Sequence, residues 1–228
     1  GATSLADYQQ QGYLSEALFN YLALLGWNPG DEREIMSRDE IIGSFDIERL
    51  VKSPAIFDVR KLSWMNGMYL KNRPLSEVVN RVVPYLEKAG FYLKNKDALW
   101  LEKVVDSVRV YLERFDQITE HVDIFFEEKY VVIDDALQRL KKNEKESLQV
   151  LRALDEILSK ISSMDDTIFK DIQSELKTKV SVKSSILFQT QRLVLTGRLS
   201  GPEMIVVMPL LGVKICRQRI QQALALLP

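Results

Sequence analysis

Chemistry that depends on histidine or cysteine has little to work with in this chain. His121 and Cys216 are the only residues of their types, which excludes a Cys/His zinc site. No orienting partner can be named that would make a Cys–His or Ser–His–Asp group of them. The sequence holds no GxGxxG, P-loop, HExxH or GxSxG pattern. Asp134–Asp135 and Asp165–Asp166 are adjacent carboxylate pairs, but neighbours on a helix point about 100° apart, so adjacency is not a shared site. Both pairs sit where a helix is expected to start, where carboxylates cap free N–H groups. Cys216 lies on an apolar and basic C-terminal segment and reads as a small core residue. A free-standing catalytic or metal site is not expected.

The arginines offer different chemistry. Single-stranded RNA is recognised by unstacked bases lying on aromatic or guanidinium planes and by hydrogen bonds to their pairing edges. Arg114 precedes Phe115, Phe188 lies one helical turn before Arg192, and Arg198 precedes the Gly201-Pro202 start of a helix. That helix start, Pro202 to Met204, presents free N–H groups to phosphate or base acceptors. Net charge is −1 overall, yet from Leu176 onward eight basic residues face Glu203 alone, a net +7 that leaves −8 on the remainder. This asymmetry fits a polyanion-facing end on an acidic body. The alternatives are a solvated helix face or a helical scaffold whose basic tail meets an acidic protein.

The elements that must position these residues all read as helices. Ser4 with Gly12, Ser37 with Glu40, and Asp58 mark early helix boundaries. Leu75 to Ala89 is expected to be a helix kinked at Pro84, and Asp97 to Phe115 and Asp134 to Ser162 are expected to be long ones. Asp166 is expected to cap Thr167–Lys179; further runs end at Gly197 and Gly212, and a last helix carries Arg217 to Leu227. The predicted fold class is all-α. Lys71–Pro74 and Glu127–Asp135 are the best hinges, giving segments of about 1–73, 74–132 and 133–228. With 46% hydrophobic and 28% charged residues the chain is neither disordered nor fibrous. The longest apolar run, Met204 to Val213, is cut by Pro209 and Gly212, so no membrane span is expected, and no secretory leader opens the sequence. One cysteine precludes an internal disulfide and fits a reducing cytoplasm, the expected location.

Two stretches, GATSLADYQQQGYLSEALFNYLALLGWNPGDEREI and FDIERLVKSPAIFDVRKLSWMNGMYL, resemble bacterial glutamyl-tRNA synthetases, most specifically KSPAxFDxxKLxWMNGxY at Lys52 to Tyr69 and LTGxxxGPE at Leu195 to Glu203. In that family GATS directly follows the lysine–serine–lysine–arginine signature of the class I active site. The chain therefore resembles a C-terminal fragment without the Rossmann domain that binds ATP and glutamate, and ATP and magnesium are implied for the parent enzyme alone. The resemblance implies a stem-contact domain over 1–73, then two helical modules, 74–132 and 133–228, forming an anticodon-binding α-helix cage.

It further implies that Arg114, in an Arg-Phe-Asp triplet, reads a cytosine at the third anticodon position. Cytosine shows N3 and O2 acceptors on its pairing edge, which match two guanidinium N–H donors, whereas guanine presents donors there. The reading fails if the Arg114 side chain faces away from any groove large enough for a nucleotide or is locked into an internal ion pair. Arg192 matches an arginine associated with the first anticodon base, although the proline and leucine that precede it in the family are Thr190 and Gln191 here. Gly201 and Met204 match positions contacting the same base. Lys52, Ser53, Lys61 and Trp64 fall in the stem-contact signature, with Trp64 alternatively core. Lys177 and Lys183 are expected on the RNA backbone. The implied partners are tRNA(Glu) and the missing N-terminal catalytic domain, with no membrane and a monomeric state; the fragment alone is expected to be inactive. Choice between discriminating and non-discriminating tRNA use stays open.

Overall fold

A computed structural model describes residues 4–51 and 55–227. Among these residues the secondary structure is helical, with one isolated bridge, between Trp27 and Leu50. The chain is all-α, as its sequence predicts. It divides into two compact units between His121 and Val122.

In the first unit, α1 (Leu5–Gln10) is opened by a reciprocal cap between Ser4 and Asp7. α2 (Ser15–Gly26) follows, then α3 (Arg38–Ser44), with the expected Ser37/Glu40 capping box. α4 (Val59–Lys71) starts at Asp58, whose carboxylate accepts from the Arg60 and Lys61 N–H groups. α5 (Leu75–Lys88) continues through Pro84 and packs on α6 (Ala98–Val108). The expected linker at 71–74 lies inside this unit, where Arg73 pairs with both Glu16 and Glu77.

The expected long helix over Asp97 to Phe115 is corrected: α6 stops at Val108, a 3-10 turn spans Arg109–Tyr111, and Arg114 has an extended backbone (φ −142°, ψ 155°) before a second turn, Phe115–Gln117. α7 (Ile118–His121) closes the unit. Leu112 and Phe115 are buried, so the apolar spacing is real. What ends the helix is competition for its backbone groups. The Gln117 side-chain oxygen accepts from the Glu113 and Arg114 N–H groups at 2.8 and 3.0 Å, and the Asn66 amide donates to the Glu113 carbonyl.

The second unit begins with a 3-10 turn, Asp123–Phe125, and then α8 (Asp134–Lys142), α9 (Glu144–Leu158), α10 (Asp166–Lys179), α11 (Ser184–Thr196) and α12 (Met204–Leu226). The single helix expected over 134–162 is broken at Asn143. Asp134 and Asp135 occupy the first turn of α8 without a side-chain cap, favoured there by the helix dipole. Asp165, not Asp166, is the cap of α10, accepting from Thr167 and Ile168 at 2.9 Å each. α9 is central and packs on α10, α11 and α12. Its buried Val150, Leu151, Leu154 and Leu158 recur at helical spacing, each apolar side chain worth ~1.5–3 kcal/mol of burial. Four buried polar side chains are matched in pairs: Ser147 to Thr190 at 3.1 Å, and Gln173 with Gln191 reciprocally at 2.7 and 3.0 Å. Within α12 the backbone is non-helical at Gly212 (φ 76°, ψ 161°), so the expected run does end there and a second helical stretch follows to Leu226.

Gly197 ends α11 at φ +67°, and a Cβ there would collide with the Val131 carbonyl. Gly197→Ala is therefore expected to destabilise the second unit by ~2–4 kcal/mol, read as a lower midpoint in urea unfolding. Cys216 is buried, and burial pushes its thiol up to about 12. Native protein at pH 8 is expected to resist a thiol reagent such as Ellman's reagent, and to react fully once unfolded in guanidinium.

Candidate nucleic-acid interface

The extended segment bearing Arg114 holds its guanidinium half-buried. Nε and Nη2 donate to the two carboxylate oxygens of Asp116 at 3.0 and 3.3 Å, and the plane lies 5.7 Å from the Tyr13 ring centre. Burial works against the charge, but the Asp116 carboxylate more than offsets it and the pKa is raised. An internal ion pair, the outcome that counts against the base-reading role of Arg114, is thus present; it occupies one side of the fork. The outer edge, formed by Nη1 and the second Nη2 hydrogen, accounts for the remaining three of five donors. Tyr13 also lines a groove of about 490 Å³ with Leu5, Tyr8, Phe19, Leu22 and Arg81. Asp116 and Tyr13 were not singled out from sequence; the acid two residues after the arginine was the available signal.

In the second unit, Arg192 and Gly201 come together, just before the helix that Met204 opens. Arg192 Nη2 donates to the Pro202 carbonyl at 3.0 Å, and Nη1 is buried with no acceptor among the described residues. Gly201, at φ +140°, would put a Cβ 3.7 Å from that Nη1. Met204 opens α12 and is buried. Two turns of chain are therefore arranged around a cationic donor left without a partner. The departure at Thr190 and Gln191 does not disturb α11, because both side chains are tied into the core through Ser147 and Gln173.

On α4, Trp64 is 42% exposed while Leu62 and Met65 beside it are fully buried, so the core alternative for Trp64 does not hold. Lys61 makes a surface ion pair with Glu34 at 2.6 Å. Lys52 and Ser53 lie outside the described residues. Lys177 and Lys183 are exposed; the Lys177 ammonium sits 5.3 Å from the Phe188 ring centre, and Lys183 stands at the N-terminal cap of α11.

The basic tail is less free than its residue count indicates. Lys179 pairs with Glu156 and Glu175, Arg217 with Asp155, and Arg198 with Asp123. Arg219 is buried against the Tyr130 ring at 3.6 Å and donates to the Leu195 carbonyl; burial lowers its pKa. Lys177, Lys183, Arg192, Lys214 and the buried Arg219 are the tail cations with no ion pair among the described residues.

No group of three or more His, Cys, Asp or Glu side chains among the described residues could hold a metal ion. His121 is half-buried and stacks on Tyr111 at 5.8 Å. No helix among the described residues is long and apolar enough to cross a membrane.

Comparison with known proteins bears on these two arginine sites. The anticodon binding domain family matches residues 77–224, a span that includes Arg114, Arg192, Gly201 and Met204. The catalytic-domain family of class I tRNA synthetases (E and Q) matches residues 2–64. The glutamate–tRNA ligase of Desulforamulus reducens is 35% identical over 227 residues, covering 98% of this chain and 47% of that protein. Glutamate–tRNA ligase 1 of Pseudothermotoga lettingae is 38% identical over 228 residues, covering 98% and 46% respectively. The crystal structure of a glutamate tRNA ligase from Elizabethkingia meningosepticum in complex with its amino acid superposes with a TM-score of 0.84 at 25% identity, over 97% of this chain and 43% of that one. The chain spans about half the length of the curated relatives it matches. With that family matched across the span that carries both arginine sites, the chain belongs to the anticodon binding domain family.

Proposed function

We propose that this chain is the tRNA-recognising portion of a glutamate–tRNA ligase, the enzyme that activates glutamate with ATP and transfers it to the end of tRNA(Glu). Residues 1–73 contact the inner corner of the tRNA, and the segments 74–132 and 133–228 read the anticodon. The rest of the ligase holds ATP and magnesium, and this chain alone performs no aminoacylation.

The observation that carries the reading is the Arg192 Nη1 donor, buried without an acceptor beside Gly201, three residues before Met204. Leaving a charged donor buried and unmatched costs about 1–3 kcal/mol. A base acceptor inserted at the first anticodon position removes that penalty, with Gly201 offering only backbone and Met204 an adaptable apolar surface. Arg114 works differently. Asp116 fixes one side of its guanidinium, so the outer edge offers two parallel N–H groups to cytosine N3 and O2 at the third anticodon position. Guanine would set donors against donors. Lys177 and Lys183, with Trp64 and Lys61 on α4 and Lys52 and Ser53 before it, bind phosphate and sugar without reading sequence.

A titration against tRNAs with cytosine or guanine at the third anticodon position, at fixed salt, tests the reading. Arg114→Gln is expected to remove roughly 1–3 kcal/mol of preference for cytosine. A wild-type chain with no preference between the two tRNAs would indicate a protein-binding scaffold instead. Lys183→Ala should weaken both complexes equally and reduce the slope of log affinity against log salt by about 1. A slope left at its wild-type value removes Lys183 from the phosphate contacts.

A further inference from the structure

The segment from Leu112 to Phe115 runs between two glycines and has one buried amide pegged into it. On one side Gly67 of α4 comes so close that a Cβ would lie 3.2 Å from the Leu112 carbonyl oxygen and 3.3 Å from the Glu113 Cα. On the other side Gly12, at φ +86°, would put a Cβ 2.6 Å from the Phe115 nitrogen, and the Phe115 N–H donates to the Gly12 carbonyl at 3.4 Å. Between them Asn66 is fully buried. Its oxygen accepts from the Leu14 N–H at 2.7 Å, and its amide donates to the Glu113 carbonyl, one peptide before Arg114. Ser63, one turn earlier on α4, bonds the Tyr13 hydroxyl at 2.6 Å, and Tyr13 is the ring beside the Arg114 guanidinium.

Ser63, Asn66 and Gly67 are spaced i, i+3 and i+4, so they form one face of α4. That face holds both neighbours of the guanidinium: the backbone that carries it and the ring it lies against. The polar connection from α4 to this segment passes through the fully buried Asn66 side chain. A base contact needs its donors held within about 0.5 Å of the productive position, and the backbone tie of the Arg-Phe-Asp triplet itself to the rest of the unit is the long Phe115 N–H to Gly12 carbonyl bond at 3.4 Å.

We infer that Asn66 is a positioning residue for tRNA selection: through the Glu113 carbonyl and the Leu14 N–H, it holds Arg114 where its outer edge can meet the third anticodon base. The inference rests on the base-reading role given to Arg114. It also makes α4 two-sided, with Trp64 exposed and the Arg114 support buried, so one rigid helix serves both the stem and the anticodon end of the tRNA.

Two substitutions test it by different physical routes. Asn66→Asp keeps the acceptor for Leu14 but turns a carboxylate oxygen against the Glu113 carbonyl. Gly67→Ala removes no hydrogen bond and favours the helix by about 1 kcal/mol, while its methyl pushes the 112–113 backbone by a few tenths of an ångström. Both variants and Arg114→Gln are titrated with tRNAs bearing cytosine or guanine at the third anticodon position, after circular dichroism confirms folding. The expected result is a loss of cytosine preference on the order of tenfold in each variant, confined to the cytosine tRNA, with an unchanged salt slope. Should Asn66→Asp not fold, Gly67→Ala carries the test alone. Wild-type preference in both α4 variants, with preference lost in Arg114→Gln, overturns the inference and leaves Arg114 as the reader. Equal weakening of both tRNAs overturns it as well, because that marks a merely structural role. Preference kept in Arg114→Gln removes the base-reading role, and the inference with it.

Discussion

A guanidinium brings five N–H groups wherever it goes, and a folded chain must meet each one with an acceptor or with water. How the arginines of this protein meet that demand sorts them into roles more sharply than their places in the sequence. Arg73 is held by Glu16 and Glu77, Arg217 by Asp155, and Arg198 by Asp123 and the Val131 carbonyl. These side chains tie helices and loops together and have little left to offer a ligand. Arg219 is the extreme case: buried, stacked on Tyr130 and donating to a carbonyl in the last turn of α11, where the helix dipole favours a cation. Arg192 has one buried donor without an acceptor, as Arg219 does at Nη2, but that of Arg192 lies beside Gly201. Arg114 has one side of its fork fixed by Asp116 and lies against Tyr13.

Much of the fold was legible because helix starts are written in short-range chemistry. Ser4, Ser37, Asp58 and Asp97 each accept from N–H groups two or three residues ahead, a pattern that depends on no distant contact. Gly197 is legible for a similar reason, since a left-handed turn at a helix end favours the residue without a Cβ. Helix interruptions were not legible. The apolar spacing through Val104, Val108, Leu112 and Phe115 fits a continuous helix and all four are buried, yet the backbone leaves the helix after Val108. The decisive competitors, Asn66 and Gln117, act through space; Asn66 is 47 residues away from the carbonyl it binds. The break at Asn143 was not legible either: α8 and α9 share one apolar pattern and both pack on α11, but α9 also packs on α10 and α12.

The candidate site was legible to different degrees. Arg192, Gly201 and Met204 lie within thirteen residues and two helix ends, so the approach of Arg192 to Gly201 needed only the turn between α11 and α12. The basic tail was over-read, since a count of charges cannot see that Glu156 receives two lysines or that Asp155 reaches across 62 residues to Arg217. Trp64 shows the opposite error: spacing with Leu62 and Met65 admitted a core position, whereas the helix turns its ring outward. For Arg114, the residue itself was identified while its local structure was not. The helix-end arginine became an arginine on an extended segment, and its geometry now derives from Asp116, Tyr13 and Gln117.

That change of local structure alters what kind of reader Arg114 can be. On the last turn of a solvated helix a guanidinium swings on four rotatable bonds, and fixing it against a base gives up much of the hydrogen-bond energy as lost side-chain entropy. On the extended segment the backbone is clamped by two glycine contacts and the fork is held in plane by a bidentate carboxylate, so that entropy is surrendered on folding, before any RNA arrives. A clamped fork also discriminates better than a mobile one. A mobile arginine can turn to find an acceptor on guanine, whereas a fixed pair of parallel donors meets guanine N1–H and N2–H head-on with no alternative. The same Asp116 that removes two donors from the inventory therefore makes the remaining edge selective.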